Sequence, residues 1–243
     1  MTSKEDRVTG RPVTVPDLVQ VEQLYRKYAA DLAEVRDAQR RFLRANPDVV
    51  AQLDDLEAEI TYLLLRERRP ETVVEIGTFH GWSTTWILRA LHDNGVGHLY
   101  SYDLVDHAMH AVPRALAGDR WTFVRGDVRA ASAMPADRTG YLFVDAAHSG
   151  RFARWYLARL FPRVPAGTPV SVHDVFHGRR PLPFTEGAVL LRWLADRSLG
   201  YLTASPARAP EVHRQLVEVR RELGLVEPVH TGRDNPMVFF TLP

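Results

Sequence analysis

Cysteine is absent from the chain, lysine occurs only twice, and the formal net charge is +1 over 243 residues. The lack of cysteine excludes disulfides, thiolate metal sites and a cysteine nucleophile. A net charge this close to zero argues against the broad basic field of a nucleic-acid-binding protein. No apolar run reaches the ~18–20 residues that a transmembrane helix needs. We therefore expect neither a nucleic-acid partner nor a membrane partner.

What the chain does contain is the composition of an ordinary soluble globular protein, with 45% hydrophobic and 25% charged residues. Its length suits one large α/β domain with a small appendage, or two small domains. The polar start of mixed charge, MTSKEDRVTG, is not typical of a secretory signal peptide. The composition and this start together predict a cytoplasmic protein.

The first part of the chain is predicted to be helical. Asp17 can cap a helix over residues 17–44, along which apolar residues recur with helical spacing. Pro47 interrupts this pattern, and a second apolar face predicts a helix over residues 48–68, which Pro70 ends.

These helices divide the chain into an N-terminal helical extension, residues 1–69, and a main domain, residues 70–243. Residues 1–16 are polar and are expected to form a lead-in to the first helix. The helices could cap an active site, form a homodimer surface or pack on the core, and the sequence leaves all three roles open.

From Thr72 onward, apolar strands alternate with helical stretches, a pattern typical of a parallel sheet with helices on both faces. The predicted strands are 72–77, 98–103, 121–126, 140–145 and 169–174, and the predicted helices between and after them are 83–93, 107–117, 150–161 and 187–197. A short strand at 200–204, a helix at 210–223 and a final strand at 236–242 follow. The expected fold is a Rossmann-like, doubly wound α/β fold with a mostly parallel sheet and an antiparallel last strand.

The stretch VVEIGTFHGWSTTWILRAL, residues 73–91, reads as a strand, a turn with two glycines and a helix. Such turns commonly hold a ligand at the start of the helix. The dinucleotide fingerprint would place glycines at 77, 79 and 82, but Phe79 and Trp82 occupy two of these positions. Bulky side chains there would keep a pyrophosphate away from the backbone, which argues against a nicotinamide or flavin enzyme.

The pattern that is present, Glu75, Gly77, Gly81 and Ser83, suits a ligand without phosphate and with positive charge. S-adenosylmethionine is such a ligand, because it carries a sulfonium, an ammonium and a carboxylate. The helix N-terminus and Ser83 could hold the carboxylate.

Acidic residues also end the next two predicted strands. Asp103 stands where a ribose diol would be bound by two hydrogen bonds, and Asp127 could accept from an adenine amino group. Either residue alone could be a solvated loop residue. Together with Glu75, however, they occur in order at successive strand ends, the edge at which open α/β sheets bind ligands.

Two further strand ends carry groups that titrate or bind metal, Asp145 and His148 after the fourth strand and His173 and Asp174 after the fifth. Transfer of a group from a bound cofactor to an acceptor needs in-line positioning and removal of the acceptor proton. Histidine suits the second task near neutral pH. The segment 175–187 follows these residues and is the expected substrate loop.

At this point the sequence resembles a known family. VEIGTFHGWSTTWILRAL closely resembles the first motif of class I S-adenosylmethionine-dependent methyltransferases. The nearest branches are the small-molecule O-methyltransferases of the catechol type and the cephalosporin-hydroxylase-like and sugar O-methyltransferase branch of bacterial natural-product pathways. The resemblance covers about residues 70–180. It implies that Gly77, Phe79 and Ser83 line the methionine end of the cofactor, that Asp103 binds the ribose and that Asp127 lies near the adenine.

In catechol-type enzymes a divalent cation, Mg or Mn, is held at the ends of the fourth and fifth strands. The resemblance carries its ligands onto Asp145, His173 and Asp174, and the general base onto His148. His173 stands where the catechol type has a carboxylate, and a histidine ligand favours Mn, Fe, Co or Zn over Mg. His173 and Asp174 could instead be a hydrogen-bonded pair that closes the strand end.

The predicted cofactor site comprises Glu75, Gly77, Phe79, Gly81, Ser83, Asp103, Asp127 and Asp145. The predicted catalytic residues are His148 and Asp145. The expected activity is methyl transfer from S-adenosylmethionine to a small molecule in natural-product biosynthesis. The resemblance implies a hydroxyl as the acceptor, whereas the residues themselves leave nitrogen and carbon open. Two alternatives stay open, namely a metal-dependent hydroxylase or lyase-type enzyme with the cofactor as a spectator, and a non-catalytic methyltransferase-like partner subunit.

Overall fold

Six strands form one sheet in the order β3-β2-β1-β4-β5-β6 in the computed structural model, which describes residues 16–232 and 234–243. Strands β1 to β5 pair in parallel, and β6 is antiparallel to β5. The strands are β1 (Thr72–Ile76), β2 (His98–Asp103), β3 (Trp121–Arg125), β4 (Tyr141–Val144), β5 (Pro169–Val172) and β6 (Val238–Thr241). The predicted Rossmann-like fold class is confirmed.

The central strands are buried along their whole length, as is typical of parallel strands covered on both faces. The strand order reverses between β1 and β4. This switch point opens a crevice at the carboxyl edge of the sheet, where ligands of such folds bind. The turns that follow β1 and β4 therefore meet at the place where a site is expected.

Helices cover both faces of this sheet. Within the described residues they are α1 (Leu18–Lys27), α2 (Ala29–Ala45), α3 (Asp55–Arg68), α4 (Trp82–Asn94), α5 (His107–Ala111), α6 (Arg114–Ala117), α7 (Gly150–Trp155), α8 (Glu186–Asp196) and α9 (Pro210–Glu222). Residues of α1 to α4 share a single hydrophobic cluster with one face of the sheet. The N-terminal helices therefore pack on the core, which is one of the three roles that the sequence left open.

The N-terminal helices differ from the prediction in their number and in where they begin and end. Asp17 caps α1 as expected, accepting a hydrogen bond of 2.7 Å from the Gln20 amide. The predicted single helix over 17–44 breaks at Tyr28, which has non-helical dihedral angles. The second helix begins at Asp55, not at residue 48, because Asp54 and Glu57 form a reciprocal capping box there.

Further along the chain, two helices differ from their predicted form. Pro113 divides the predicted helix 107–117 into α5 and α6, and α7 continues as a π-helical turn over Tyr156–Leu160. The predicted short strand at 200–204 is wrong, because only Leu202 pairs with Phe239 there, in an isolated bridge. Most of the expected lead-in, residues 1–16, lies outside the described residues. In the part of the chain that is described, no helix is long and apolar enough to cross a membrane.

Candidate cofactor and catalytic site

A cavity of about 540 Å³ opens at the carboxyl edge of the sheet. Its volume falls within the range of about 300–1,000 Å³ that is usual for small-molecule and cofactor sites. Every parallel strand contributes to its lining through its last residue or the turn that follows it: Gly77 and Phe79 after β1, Asp103 at the end of β2, Gly126 and Asp127 after β3, Asp145 and His148 after β4, and Asp174 after β5. The fold thus brings most of the predicted site residues to one cavity.

Gly77 allows the first turn to approach the end of β4 very closely. Its φ is +88°, and a Cβ built on it would lie 1.9 Å from the backbone oxygen of Asp145. Gly81 has a similar φ of +81° and is the N-cap of α4, where a Cβ would lie 2.6 Å from Val112. Both glycines therefore shape the turn, although only Gly77 lines the cavity.

Asp103 holds this turn in place. One of its carboxylate oxygens accepts from the amides of Thr78 and Phe79 at 2.6 and 2.8 Å, and the other accepts from the Val105 amide at 3.1 Å. Burial acts to raise the pKa of Asp103, but these amide hydrogen bonds outweigh it and hold the pKa below its usual value. Asp103 is thus an ionised, half-buried carboxylate in the cavity wall.

Glu75 and Ser83 lie behind the turn and do not line the cavity. The fully buried carboxylate of Glu75 accepts hydrogen bonds from the hydroxyls of Ser83, Ser101 and Thr84 at 2.6, 2.6 and 2.9 Å. Burial raises the pKa of Glu75 to about 7, against the effect of these hydroxyls. The two residues therefore join β1, β2 and α4 within the core, which supports the turn from beneath.

Asp127 lines the cavity but is already paired. Its carboxylate forms a two-point contact with Arg129, with distances of 2.9 Å to Nε and 2.6 Å to the terminal nitrogen. This guanidinium lowers the pKa of Asp127. An adenine amino group would have to share the carboxylate with Arg129, which also lines the cavity.

Three titratable side chains meet at the ends of β4 and β5. The Nε2 atom of His148 lies 3.7 Å from the Asp145 carboxylate and 3.4 Å from that of Asp174. One ligand atom from each residue lies within 4.8 Å of the others, so this group could hold a metal ion. Burial acts to raise the pKa of Asp174, but His173 and His148 outweigh it and lower the pKa to about 2.

His173 lies behind this group, with one ring nitrogen near its carboxylates and the other near Glu57. It is buried, with Nδ1 at 3.3 Å from Asp145 and 3.4 Å from Asp174, whereas Nε2 lies 3.3 Å from the carboxylate of Glu57 in α3. The predicted metal set contained His173, whereas the group that the fold brings together contains His148 in its place. Burial acts to lower the pKa of His173, but Asp145 and Glu57 raise it well above its usual value.

Glu57 contacts His173 and Glu186 contacts His148, and the sequence does not indicate either pairing. Glu57 forms a capping box with Asp54, and nothing in this local arrangement connects it with His173, which is 116 residues away. Glu186 lies in the segment 175–187, the expected substrate loop. It is fully buried and lies 3.5 Å from Nδ1 of His148.

Strained backbone accompanies these side chains. Phe79, Ala147, His148 and Asp174 line the cavity and have φ values of 43°, 58°, 30° and 53°. Positive φ in residues other than glycine costs about 1–3 kcal/mol each and clusters at functional sites. The neighbouring loop also contains such a residue, Phe184, whose side chain is 91% exposed. This concentration of strain supports a functional role for the cavity.

Comparison with known proteins agrees with this geometry. Residues 74–175 match the family model described as a methyltransferase domain. The matched segment runs from within β1 to the residue after Asp174 and so contains the five strand ends that line the cavity. These residues therefore match a methyltransferase domain, in agreement with the methyltransferase resemblance seen in the sequence. No curated protein sequence matches the chain.

Solved structures share the fold along most of the chain. TomG, an O-methyltransferase from Streptomyces achromogenes involved in tomaymycin synthesis and solved in complex with SAM, is 18% identical, with 98% of this chain and 93% of TomG covered and a TM-score of 0.55. The cofactor-bound Rv0187 from MTB is 17% identical, with coverages of 94% and 99% and a TM-score of 0.55. A methyltransferase from Geobacter sulfurreducens is 16% identical, with coverages of 86% and 90% and a TM-score of 0.54. At these identities the similarity bears on the fold alone.

Proposed function

We propose that the protein binds S-adenosylmethionine in the cavity and transfers its methyl group to a hydroxyl oxygen of a small molecule in natural-product biosynthesis. The observation that carries this proposal is the convergence of five strand ends on one cavity, with Asp103 at one end and the Asp145–His148–Asp174 group at the other. The description of the similar fold of TomG as an O-methyltransferase bound to SAM, involved in tomaymycin synthesis, supports the choice of cofactor, acceptor atom and pathway.

The cavity residues fit this cofactor chemically. Asp103 is ionised and could accept hydrogen bonds from a ribose diol, while Phe79, which is 40% exposed, offers an apolar surface beside it. Asp127 would lie near the adenine, and Gly77 and Asp145 near the methionine portion. The carboxylates of this wall favour a ligand that carries a sulfonium and an ammonium. Bound S-adenosylmethionine would supply the activated methyl group.

His148 is the residue best placed to take the acceptor proton. Its side chain is 42% exposed, lines the cavity and has Nε2 directed towards two carboxylates. As the acceptor oxygen forms its bond to the methyl group and the bond from methyl carbon to sulfur breaks, the hydroxyl proton would pass to Nε2. Asp145 and Asp174 would then stabilise the imidazolium.

A divalent cation would compete with this use of His148. The Nε2 atom has one lone pair, so it cannot both bind a cation and accept a proton. A set of two carboxylates and one imidazole suits Mn, Fe, Co or Zn. Alternatively, Asp145 and Asp174 alone could hold Mg or Mn with water completing the shell, which would leave His148 free as the base. In both arrangements the cation would acidify the acceptor hydroxyl.

Calorimetry and thermal unfolding with S-adenosylhomocysteine test the cofactor assignment. NAD serves as the control ligand, and each titration is repeated with chelator and with added Mn²⁺ or Mg²⁺. At about 100 times its dissociation constant, S-adenosylhomocysteine should stabilise the protein by about 2.7 kcal/mol. Binding of NAD alone, or of neither compound, would overturn the proposal. A dependence on Mn²⁺ or Mg²⁺ would assign the carboxylates to a cation.

The variant His148→Ala should lose methyl transfer and keep the cofactor. Removal of a general base typically lowers the rate by about 10²–10⁴-fold. We expect a fall of this size in the transfer of labelled methyl groups to hydroxylated acceptors, with the affinity for S-adenosylhomocysteine almost unchanged. His92→Ala, a histidine variant at the exposed last turn of α4 and outside the cavity lining, is the matched control and should retain activity. Equal losses of turnover and cofactor affinity in His148→Ala would contradict the general-base role.

A further inference from the structure

Glu186 is a fully buried carboxylate at the start of α8. Neither of its oxygens receives a well-aligned hydrogen bond from the residues that the structure describes. An ionised carboxylate without a partner in the protein interior is very costly, so such a group normally serves a neighbouring cation or donor. The identity of that neighbour indicates what Glu186 does.

Two polar groups face this carboxylate. The Nδ1 atom of His148 lies 3.5 Å from Glu186 Oε2. The hydroxyl of Tyr156, which is also buried and lacks an aligned partner among the described residues, lies beside the same carboxylate. Glu186 therefore stands between a tyrosine hydroxyl in the core and the side of the imidazole ring that points away from Asp145 and Asp174.

The backbone fixes this arrangement. The amide of Glu186 donates to the carbonyl oxygen of His148 at 3.2 Å, and the amide of Gly150 donates to the carbonyl oxygen of Phe184 at 3.0 Å. A Cβ on Gly187 would lie 2.0 Å from the backbone oxygen of Val175, so the start of α8 packs directly on the chain that leaves β5. The segment that carries Glu186 is thus joined to the segment that carries His148.

We infer that Glu186, supported by Tyr156, is a positioning residue that accepts the Nδ1 proton of His148 and so leaves the Nε2 lone pair directed into the cavity. A neutral histidine carries one proton on its two ring nitrogens, and the hydrogen bond made by one nitrogen decides which of them is protonated. This inference rests on the proposed function, in which the Nε2 lone pair accepts the proton of the acceptor hydroxyl. The same tautomer serves proton removal and, by the usual second-shell arrangement, binding of a cation.

The tautomer can be measured without substrate or cofactor. Long-range ¹H–¹⁵N correlation spectra of the ¹⁵N-labelled protein distinguish a protonated ring nitrogen from an unprotonated one. The spectra are recorded at a pH above which the His148 signals no longer change, and His148→Ala identifies those signals. The wild type should show Nδ1 protonated and Nε2 unprotonated.

The variant Glu186→Gln should reverse this tautomer. Glutamine has nearly the same volume, but its amide can donate to Nδ1, which would move the proton to Nε2. Tyr156→Phe leaves the carboxylate in place and should keep the wild-type tautomer. A wild-type Nε2 that carries the proton, or an unchanged tautomer in Glu186→Gln, would overturn the inference. If Glu186→Gln does not fold, the wild-type spectrum decides. Failure of S-adenosylhomocysteine binding would overturn the proposed function and leave this result untouched.

Discussion

The variant Gly77→Ala should be strongly destabilised and should no longer bind S-adenosylhomocysteine. The added methyl group would lie 1.9 Å from the backbone oxygen of Asp145, and neither the turn nor the end of β4 can withdraw without breaking the sheet edge. Overpacking of this kind costs about 1–3 kcal/mol. The φ of +88° adds strain of about 1–2 kcal/mol for a residue with a Cβ. Urea unfolding measures the stability, and calorimetry measures the binding.

Gly95→Ala is the matched control for backbone strain. Gly95 has a φ of +67° at the end of α4, and a Cβ there would meet nothing within 4 Å. Backbone strain should lower the unfolding free energy of this variant by only about 1 kcal/mol, and the variant should bind S-adenosylhomocysteine as the wild type does. If Gly77→Ala were no less stable than Gly95→Ala and bound the ligand equally well, the close contact between the first turn and Asp145 would be refuted.

The variant Asp103→Asn should weaken both the turn and the cofactor site. The carboxylate accepts from three backbone amides, whereas an asparagine side chain has one acceptor oxygen and would direct its NH₂ group at an amide proton. Hydrogen bonds to a charged group are worth about 1.5–3 kcal/mol, so a loss of about 2–4 kcal/mol in unfolding free energy is expected. The affinity for S-adenosylhomocysteine should fall about tenfold or more, equivalent to about 1.4 kcal/mol.

The pH dependence of stability distinguishes this role from a general loss of packing. The pKa of Asp103 is lower in the folded chain than in the unfolded chain, where it is about 3.9. Its contribution to stability is therefore present above that pH and disappears as the pH falls through the folded-state pKa. The stability difference between wild type and Asp103→Asn should shrink below about pH 4. Asp127→Asn, which disturbs a carboxylate bonded to Arg129 near the surface, should unfold much as the wild type does. A constant difference between wild type and Asp103→Asn across acid pH would contradict this account.

The sequence by itself determined the sheet and the order of the groups along its edge. Alternating apolar strands and helical stretches specify a parallel sheet, and in such a sheet the carboxyl ends of all parallel strands lie on one side. Asp103, Asp127, Asp145 and Asp174 lie at the ends of their strands or within two residues of them, so their arrival at one cavity follows from chain order alone. The glycine pattern in the first turn argued against a dinucleotide by the same kind of local reasoning.

Local sequence could not determine which side chains pair inside the core. Glu75 and Ser83 fitted a cofactor pattern, but the hydroxyls of Ser101 and Thr84 complete a buried hydrogen-bond set around Glu75 and place both residues behind the turn. Ser101 lies on the neighbouring strand, 26 residues away from Glu75. A strand-to-strand contact of this kind depends on register, which the pattern of apolar residues fixes only to a face of the sheet.

The assignment of the two histidines was decided by tertiary structure as well. His148 and His173 both follow buried strands, and their sequence positions do not tell which ring reaches the cavity. Packing of α3 against the sheet places Glu57 beside His173, and the start of α8 places Glu186 beside His148. Each carboxylate comes from an element distant in the chain. The sequence therefore specified which residues stand at the edge of the sheet, whereas long-range packing decided that His148 faces the cavity and His173 stays buried, because burial of an imidazole depends on the partner that the fold brings to it.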